Sequence, residues 1–320
     1  MTKPHITFLD SYTLNPGDLD WAPISKLGHW VNYEHTTPEE IIDRAQSCEV
    51  LLVNKTKITS EIISHLPWLK CICVTATGYN NVDLEAATKR GIAVCNVSGY
   101  STPSVAQHAF ALLLELTNSV GLHDKSVKKE KWSRNRDFSY QEKPVMELSG
   151  KTMGIYGMGT IGQEIAKIAA AFGMNIIYNN RSTKNFPDWE QVEIERLWKS
   201  SDVIVLAASL SKENFQIINK YSLAQMKPSA LLINTSRGDL IDEEDLHQAL
   251  AKEVVAGAAV DVLSQEPPRE DHPLVSLRNC IVTPHIAWAS RESRKRLLLE
   301  TAENIKAYLR GTPINVVNTK

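Results

Sequence analysis

The chain has no long apolar run and no excess of charge of either sign. No stretch reaches the roughly 18 consecutive apolar residues that a membrane-spanning helix needs, and the opening MTKPHITFLD contains too short an apolar stretch for a signal peptide. The net charge is −2, so no basic surface is expected to attract nucleic acid or an anionic membrane. We therefore expect neither nucleic acid nor membrane among the partners.

Cysteines are few and unpaired in the sequence. The five lie at positions 48, 71, 73, 95 and 280, with no CxxC pair and no histidine at zinc spacing. Three of them, Cys71, Cys73 and Cys95, fall inside apolar strand-like runs, where a thiol usually acts as a small hydrophobe. This pattern predicts no metal site, and it favours reduced thiols and a cytoplasmic location.

What the chain does have is length, with 320 residues of which 43% are apolar, and this suits two globular domains. In the first hundred residues, buried parallel strands are predicted at 6–10, 50–54, 71–76 and 92–97. Helical patterns alternate with these strands. One opens at Thr37 with Pro38 in the first helical position, and another runs from Asn81 to Gly91.

A second strand and helix series opens at Lys151, after a long apolar helix from Thr102 and a polar segment at 125–148. Six further strands are predicted at 152–157, 174–179, 202–208, 230–235, 255–262 and 280–284. Helical patterns between them indicate a doubly wound sheet. The closing amphipathic stretch, 290–311, has no place in that sheet, so we expect it to pack against the first domain.

The predicted architecture is therefore α/β with two doubly wound domains and a ligand cleft between them. A flavodoxin-like substrate domain comprises residues 1–100 and 290–320, and a Rossmann-type dinucleotide-binding domain comprises residues 101–289. Hinges are expected near residues 100 and 289.

A glycine-rich run, Gly157-Met158-Gly159-Thr160-Ile161-Gly162, follows the first strand of the second series and opens a helix. Gly157 permits a tight turn, Gly159 lets the backbone approach a pyrophosphate, and Gly162 allows close packing of helix on strand. The predicted helix, QEIAKIAAAFG, presents free N–H groups at its N-terminus to phosphates, and Thr160 and Ile161 just before it are predicted to contact the cofactor. The spacing predicts a dinucleotide site.

The acid that normally binds the cofactor ribose is missing about 20 residues beyond this run. Asn180, Arg181 and Ser182 stand there instead. An acid would repel a 2′-phosphate, whereas a guanidinium and a hydroxyl suit one. We predict a preference for NADP(H). The alternative is NAD(H) bound through Asn180, with Arg181 a solvated turn residue.

Three polar stretches follow predicted strands of the second domain, where α/β sheets place functional loops. They are NTSRG with Thr235 and Arg237, DVLSQEPP with Asp261 and Glu266, and TPHIAWAS with His285 and Trp288. Each residue alone fits an ordinary surface or core role. Their joint occurrence after the glycine run indicates a site.

With these motifs, the chain resembles the D-isomer-specific 2-hydroxyacid dehydrogenase family. The resemblance covers nearly the whole chain, including SVAQHAFALLLEL (104–116) and GTPINVVN (311–318). Within the family the chain looks most like the glycerate dehydrogenase, or hydroxypyruvate and glyoxylate reductase, branch. SGYSTPSVAQH and a tryptophan three residues after His285 carry that comparison.

The resemblance implies that a small 2-oxo acid is reduced by NAD(P)H. His285 would donate the proton, Glu266 would orient its ring, and Arg237 would bind the substrate carboxylate. By the same resemblance, Asp261, Thr235 and His285 would contact the cofactor. Further substrate contacts would come from Asn54, Lys55, Thr77, Gly78 and Trp288.

Two other functions stay open at this point. One is a dehydrogenase of another D-2-hydroxy acid, of the lactate type or bulkier. The other is a dinucleotide-sensing protein of the corepressor type, because such relatives can retain the three catalytic residues. We also expect a homodimer built through the second domain, since aromatic residues punctuate the polar segment 125–148.

Overall fold

The computed structural model describes residues 3–318. These residues form two compact units, one made of the chain up to Ser101 together with the chain from Ala289 onwards, the other of Thr102–Trp288. The sequence-based boundaries each differ from these by one residue. Each unit has a parallel sheet of its own.

The elements follow one another as alternating strands and helices. The strands are β1 (His5–Phe8), β2 (His29–Asn32), β3 (Val50–Val53), β4 (Cys71–Val74), β5 (Ala93–Cys95), β6 (Thr152–Tyr156), β7 (Asn175–Asn179), β8 (Glu190–Gln191), β9 (Val203–Leu206), β10 (Leu231–Asn234), β11 (Gly257–Val260) and β12 (Cys280–Val282). The α-helices are α1 (Ala22–Ser25), α2 (Ile41–Ala45), α3 (Ser60–Ser64), α4 (Leu84–Lys89), α5 (Thr102–Asn118), α6 (Val120–Lys128), α7 (Thr160–Ala171), α8 (Ile194–Ser200), α9 (Lys220–Leu223), α10 (Glu243–Ala251) and α11 (Arg291–Leu309).

The sheet of the first unit has the strand order β2-β1-β3-β4-β5, and every pairing in it is parallel. The four predicted strands are confirmed, and each ends within two residues of its predicted C-terminal limit. Strand β2 was not predicted because its residues, HWVN, are mostly exposed at the sheet edge and form no apolar run.

Two helix starts in the first unit show how local capping decides the boundary. Thr37 caps a 3₁₀ turn, Pro38–Glu40, which leads into α2. The prediction that helix α4 begins at Asn81 is wrong, because Asp83 is its N-cap and accepts a hydrogen bond from the Ala86 N–H.

The long C-terminal helix α11 begins after Ser290, whose side chain accepts a hydrogen bond from the Ser293 N–H. It packs against α1 and β4 of the first unit, as its sequence predicts. Buried Arg294 makes a two-pronged ion pair with Asp18, at 2.6 and 2.7 Å. The chain thus returns to its first sheet after completing the second.

The sheet of the second unit has the order β12-β11-β10-β9-β6-β7-β8 and is parallel throughout. Helices α5 and α7 cover one face and α8, α9 and α10 the other, so two apolar cores sandwich the sheet. Strand β6 is the first in sequence yet has β7 on one side and β9 on the other, which makes its carboxyl end a topological switch point. The predicted α/β class is confirmed.

The doubly wound pattern departs from expectation in two places. The connection from β11 to β12 contains a 3₁₀ turn, Pro273–Ser276, where a helix was expected. The two-residue strand β8 was not predicted, because so short a segment carries no periodic signal.

The polar segment 125–148 begins as helix, since α6 continues to Lys128, and then follows an irregular path. Within it Trp132 is 52% exposed and Phe138 is 90% exposed. No helix among residues 3–318 is both long and apolar enough to cross a lipid bilayer.

Candidate active site

The glycine-rich turn between β6 and α7 has the backbone geometry expected of a dinucleotide fingerprint. Gly157 has a φ of +101°, and a Cβ there would lie 2.6 Å from the Ala208 backbone. A Cβ on Gly162 would lie 2.2 Å from the Gly157 carbonyl oxygen, whereas a Cβ on Gly159 would meet no atom within 4 Å. Two glycines therefore allow close packing, and the third leaves open space where a pyrophosphate can approach.

The donors around this turn suit a bound dinucleotide. The first α7 amides, of Thr160, Ile161 and Gly162, point out of the helix N-terminus, where no side chain caps them. Close to the same edge of the sheet, the hydroxyl oxygen of Thr235 is buried and has no hydrogen-bond partner in the described chain. An orphaned buried hydroxyl of this kind fits a site that a ligand completes.

Asn180 takes the place of the missing acid and links the glycine turn to the residues beyond β7. Its Oδ1 accepts a hydrogen bond from the Met158 N–H at 3.2 Å, and its amide donates to the carbonyl and hydroxyl oxygens of Ser182. The Arg181 side chain is exposed. A hydrogen bond from Ser211 and, more weakly, the nearby charge of Arg181 hold the pKa of Glu213 below its usual value.

A second cation in this loop, Lys184, was missed by the sequence reasoning, although it lies three residues after Arg181. Its ammonium donates a hydrogen bond to the Met158 carbonyl at 2.8 Å, at the edge of the glycine turn. Its backbone is fixed at both ends, because its N–H donates to Gln191 and its carbonyl accepts from the hydroxyl of buried Tyr178. Lys184 is thus held in place beside the fingerprint.

Arg237 follows β10 in a turn that its neighbours tie down. The Asn234 side chain donates to the Arg237 carbonyl and accepts from the Ser236 N–H. A Cβ on the next residue, Gly238, would lie 1.9 Å from the Leu263 carbonyl carbon. Only a glycine lets the Arg237 turn pack directly on the loop that carries Glu266.

His285 and Glu266 form the pair that the sequence predicts. The His285 Nδ1 lies 2.6 Å from the Glu266 Oε2, and both side chains keep partial solvent access. The other Glu266 oxygen accepts a hydrogen bond from the Leu263 N–H, which orients the carboxylate. The ring's Nε2 is therefore the nitrogen left to face a reactant.

Asp261 has a structural role that the sequence did not predict. Its buried carboxylate accepts hydrogen bonds from the Ile286 and Ala287 N–H groups and from the Thr283 hydroxyl. His108 of α5 lies 3.3 Å from the same carboxylate. Its oxygens hold the loop that carries His285, so contact with nicotinamide stays a prediction while the supporting role is observed.

Hydrogen bonds to Glu243 hold the loop that carries Glu266, and the sequence did not predict them. Glu243, in the first turn of α10, accepts hydrogen bonds from the N–H and hydroxyl of Ser264. The same carboxylate lies 3.1 Å from the Nε2 of buried His272. These contacts fix both ends of the segment between β11 and the 3₁₀ turn.

Two of the predicted substrate residues lie in the loop after β3, and they differ in solvent exposure. The Asn54 side chain is buried and its amide donates to Thr75, while its predicted contact with substrate stays a prediction. Lys55 is exposed, and its loop is held by Asp10, whose carboxylate accepts from the backbone N–H groups of residues 54–56.

Thr77 and Gly78 follow β4 in an irregular turn. The Thr77 hydroxyl donates to the Val97 carbonyl, and no described residue accepts a hydrogen bond from the Thr77 or Gly78 backbone N–H. These two amides could receive an anionic oxygen, but their substrate role stays a prediction. So does that of half-buried Trp288, which follows the His285 loop in the second unit.

The second unit also contains a cavity of about 650 Å³ lined by Leu250, Leu277 and Arg278 among others. It contains none of the predicted site residues, and it lies near the amino ends of β11 and β12. Ligands of open α/β sheets bind at the carboxyl ends of the strands. The general rule favours the loops at the carboxyl ends, where Arg237, Glu266 and His285 lie, over this cavity.

Comparison with known proteins identifies a family. Residues 110–287 match the family described as D-isomer specific 2-hydroxyacid dehydrogenase, NAD binding domain. The chain is 44% identical over 320 residues to a hydroxypyruvate reductase of Blautia hydrogenotrophica, covering 98% of this chain and 99% of the relative. It is 38% identical to a glycerate dehydrogenase of Methylorubrum extorquens, covering 99% of each.

Among solved structures, an acyclic imino acid reductase in complex with NADPH and D-Arg superposes with a TM-score of 0.86 at 34% identity. The match covers 98% of this chain and 99% of that one. With the family match and near-complete coverage by relatives above 30% identity, the chain belongs to the D-isomer specific 2-hydroxyacid dehydrogenase family of NAD(P)-dependent oxidoreductases.

Proposed function

We propose that the protein reduces hydroxypyruvate to D-glycerate, and glyoxylate to glycolate, reversibly and with NAD(P)H. The observation that carries this proposal is the 2.6 Å contact between His285 and Glu266 on a loop that packs against the Arg237 turn. An acid–base pair and a forked cation are the groups that reduction of a 2-oxo acid requires. The names of the two relatives support the substrate class.

The cofactor is held by the turn between β6 and α7. Space above Gly159, the uncapped amides of α7 and the buried Thr235 hydroxyl support this assignment. When bound, the reduced nicotinamide supplies a hydride to the carbonyl carbon of the substrate.

The protein's own side chains supply the remaining chemistry. Arg237 binds the substrate carboxylate through its two-pronged guanidinium, and its charge polarises the adjacent carbonyl. Protonated His285 donates its Nε2 proton to the carbonyl oxygen as that oxygen becomes a hydroxyl. Glu266 holds the Nδ1 and keeps the ring oriented. In the oxidative direction, His285 takes the proton back.

The direct test is a substrate panel with purified protein. We expect kcat/KM to be highest for hydroxypyruvate and glyoxylate, and lower for pyruvate and for 2-oxo acids with bulky side chains. His285→Asn should lower kcat by at least about 100-fold, a typical contribution of a general acid. Turnover favouring pyruvate or a bulky acid would assign another substrate in the family. No turnover of any 2-oxo acid, with NADPH still bound, would support a dinucleotide-sensing function.

We also propose a preference for NADP(H). What supports it is the absence of an acid at Asn180 together with two cations, Arg181 and Lys184, in the following loop. Lys184 is the better placed of the two, because three hydrogen bonds hold its backbone N–H, its carbonyl and its ammonium. Arg181 instead has the Glu213 carboxylate in its neighbourhood.

The ratio of kcat/KM for NADPH to that for NADH tests this preference. Arg181→Ala and Lys184→Ala should each lower the ratio by about 10-fold, because a hydrogen bond to a charged group is worth about 1.5–3 kcal/mol. Lys167→Ala is the matched control, since Lys167 is an exposed α7 lysine paired with Glu164. A parent ratio below one, unchanged in both variants, would show that Asn180 alone replaces the acid and that NADH is the cofactor.

Two further proposals concern the oligomeric state and the cellular location. The exposed aromatic side chains Trp132 and Phe138 support a homodimer built through the second unit. The five free cysteines, four of them buried, support a reducing, cytoplasmic location.

A further inference from the structure

His285 occupies an unusual backbone position. Its φ is +54°, a left-handed conformation that costs a residue with a side chain about 1 kcal/mol or more and persists where the surroundings enforce it. The enforcing contacts come from Asp261: the His285 N–H donates to the Asp261 carbonyl, and the next two amides, of Ile286 and Ala287, donate to its carboxylate. The position of the His285 ring therefore depends on the Asp261 side chain.

The Asp261 carboxylate is held in turn by His108 of α5. The His108 Nε2 lies 3.3 Å from the Asp261 Oδ1 and 3.1 Å from the Thr283 hydroxyl oxygen. The Thr283 hydroxyl donates its hydrogen to Asp261 at 2.6 Å, so the contact to the ring nitrogen can form only if the Nε2 carries the proton. One turn earlier on α5, the Ser104 hydroxyl donates to the Ala287 carbonyl. The helix thus contacts both the acid and the loop.

We propose that His108 is a positioning residue for the reaction, acting through Asp261 on the loop that carries His285. The inference rests on the proposed function for its kinetic consequence, and on the hydrogen-bond chain for its structural one. Without the His108 donor, the Asp261 Oδ1 loses one of three donors in a buried place, and the carboxylate is freer to rotate away from the Ile286 and Ala287 amides. The His285 ring then leaves its alignment with Glu266 for part of the time.

The charged and titratable groups named around His285 are Glu266, Asp261 and His108, together with Arg237, whose turn packs on the loop that carries Glu266. Glu266 contacts the ring directly, and Asp261 and His108 lie behind its loop. None of the His108 contacts involves the glycine turn or Thr235. Removing the His108 donor should therefore impair the chemical step far more than the cofactor affinity, because the glycine turn keeps its own contacts.

The test compares His108→Leu, which has no donor, with His108→Gln, whose amide N–H can reach where the Nε2 donates. We expect His108→Leu to lower kcat about 10-fold and to shift the pH–rate profile, with KM and the NADPH dissociation constant within about twofold, since a misplacement of about 1 Å can cost up to 100-fold. His108→Gln should recover most of kcat and the parent pH profile. A His108→Leu protein that is folded and keeps both parent values would overturn the proposal, and so would equal losses in the two variants that follow their melting temperatures.

A second readout does not depend on turnover. Amide hydrogen exchange at Ile286 and Ala287 should be faster in His108→Leu than in the parent and close to the parent rate in His108→Gln. If no 2-oxo acid is reduced but this exchange pattern holds, the proposed function fails and the positioning role stands. If exchange at both amides is unchanged in His108→Leu, the positioning role fails whatever the activity.

Discussion

Asp261 is the residue on which the geometry of the site most depends. Burial alone would raise the pKa of its carboxyl group, but hydrogen bonds from His108, Thr283 and the Ile286 and Ala287 amides outweigh burial and lower the pKa below the ordinary value of 3.8. A depressed pKa means that the ionised form stabilises the folded state. This contribution is complete above about pH 4 and is lost as the pH falls through the folded-state value.

Asp261→Asn should therefore destabilise the protein in a pH-dependent way. An amide places N–H groups where the native carboxylate accepts, which costs about 1–3 kcal/mol and lowers the Tm by about 5 °C near neutral pH. The difference from the parent should shrink as the pH falls below about 4, because the parent carboxylate then also becomes protonated. Calorimetry from pH 3 to pH 8 measures it, and a difference that stays constant over this range would contradict the role given to the charge.

Among individual residues, the sequence allowed us to pick out polar side chains that follow closely after a strand. Arg237, Glu266 and His285 each follow a strand in a recognisable motif, and the structure places the first beside the loop of the second and the second against the third. His108 was not predictable in its role, because its partner Thr283 lies 175 residues away in sequence. The hydrogen bond from the Asn54 amide to Thr75 was also not predictable, because the two residues follow neighbouring strands and lie 21 residues apart in sequence.

At the scale of elements, the turn between β6 and α7 shows which glycines serve folding and which serve binding. Parallel strands with continuous apolar runs and helices with clear caps were predictable, since periodicity and capping are local signals. Strand β2 was not, because exposure at the sheet edge removes the apolar run, and β8 was not, because two residues carry no periodic signal. The tight turn and the close packing at Gly157 and Gly162 were predictable from the glycine spacing, because backbone sterics dictate both.

Gly159→Ala and Gly162→Ala should have opposite consequences. The added methyl of Gly159→Ala meets no protein atom within 4 Å, so the Tm should stay within about 1 °C of the parent. It occupies the approach to the pyrophosphate, so the NADPH dissociation constant should rise about 10-fold or more.

Gly162→Ala forces a Cβ to 2.2 Å from the Gly157 carbonyl oxygen, so the protein should lose about 1–3 kcal/mol of stability. Thermal melting with and without NADPH, together with fluorescence titration, separates the two effects. Parent-like NADPH affinity in Gly159→Ala would place the pyrophosphate elsewhere.

On the scale of the whole molecule, the chain builds two units and returns to the first with α11. This return was predictable because the second sheet is complete before residue 290. The course of residues 129–150 was not, since a polar segment with scattered aromatic residues has no period to interpret. Its exposed side chains belong to the second unit and remain the strongest sign of a subunit contact.

Phe138→Ser should weaken the homodimer by removing an apolar side chain that is 90% exposed in the single chain. Burying such a ring contributes about 1.5–3 kcal/mol, so the dimer dissociation constant should rise by about 10-fold or more. Light scattering coupled to size exclusion over a range of concentrations measures it. Trp68→Ser is the matched control, since Trp68 is 65% exposed but lies in the first unit. A monomeric parent, or a greater effect of the control, would rule out this segment as the contact.

The most direct test of the proposed reaction follows deuterium into hydroxypyruvate from NADPH in which both C4 hydrogens are replaced by deuterium, in the parent and in His285→Asn. Hydride transfer at the Arg237, Glu266 and His285 site predicts D-glycerate with deuterium at C2 in the parent. In His285→Asn, the rate should fall at least about 100-fold while NADPH still binds. Product without deuterium at C2, glycerate of the opposite configuration, or an unimpaired His285→Asn variant would contradict the mechanism.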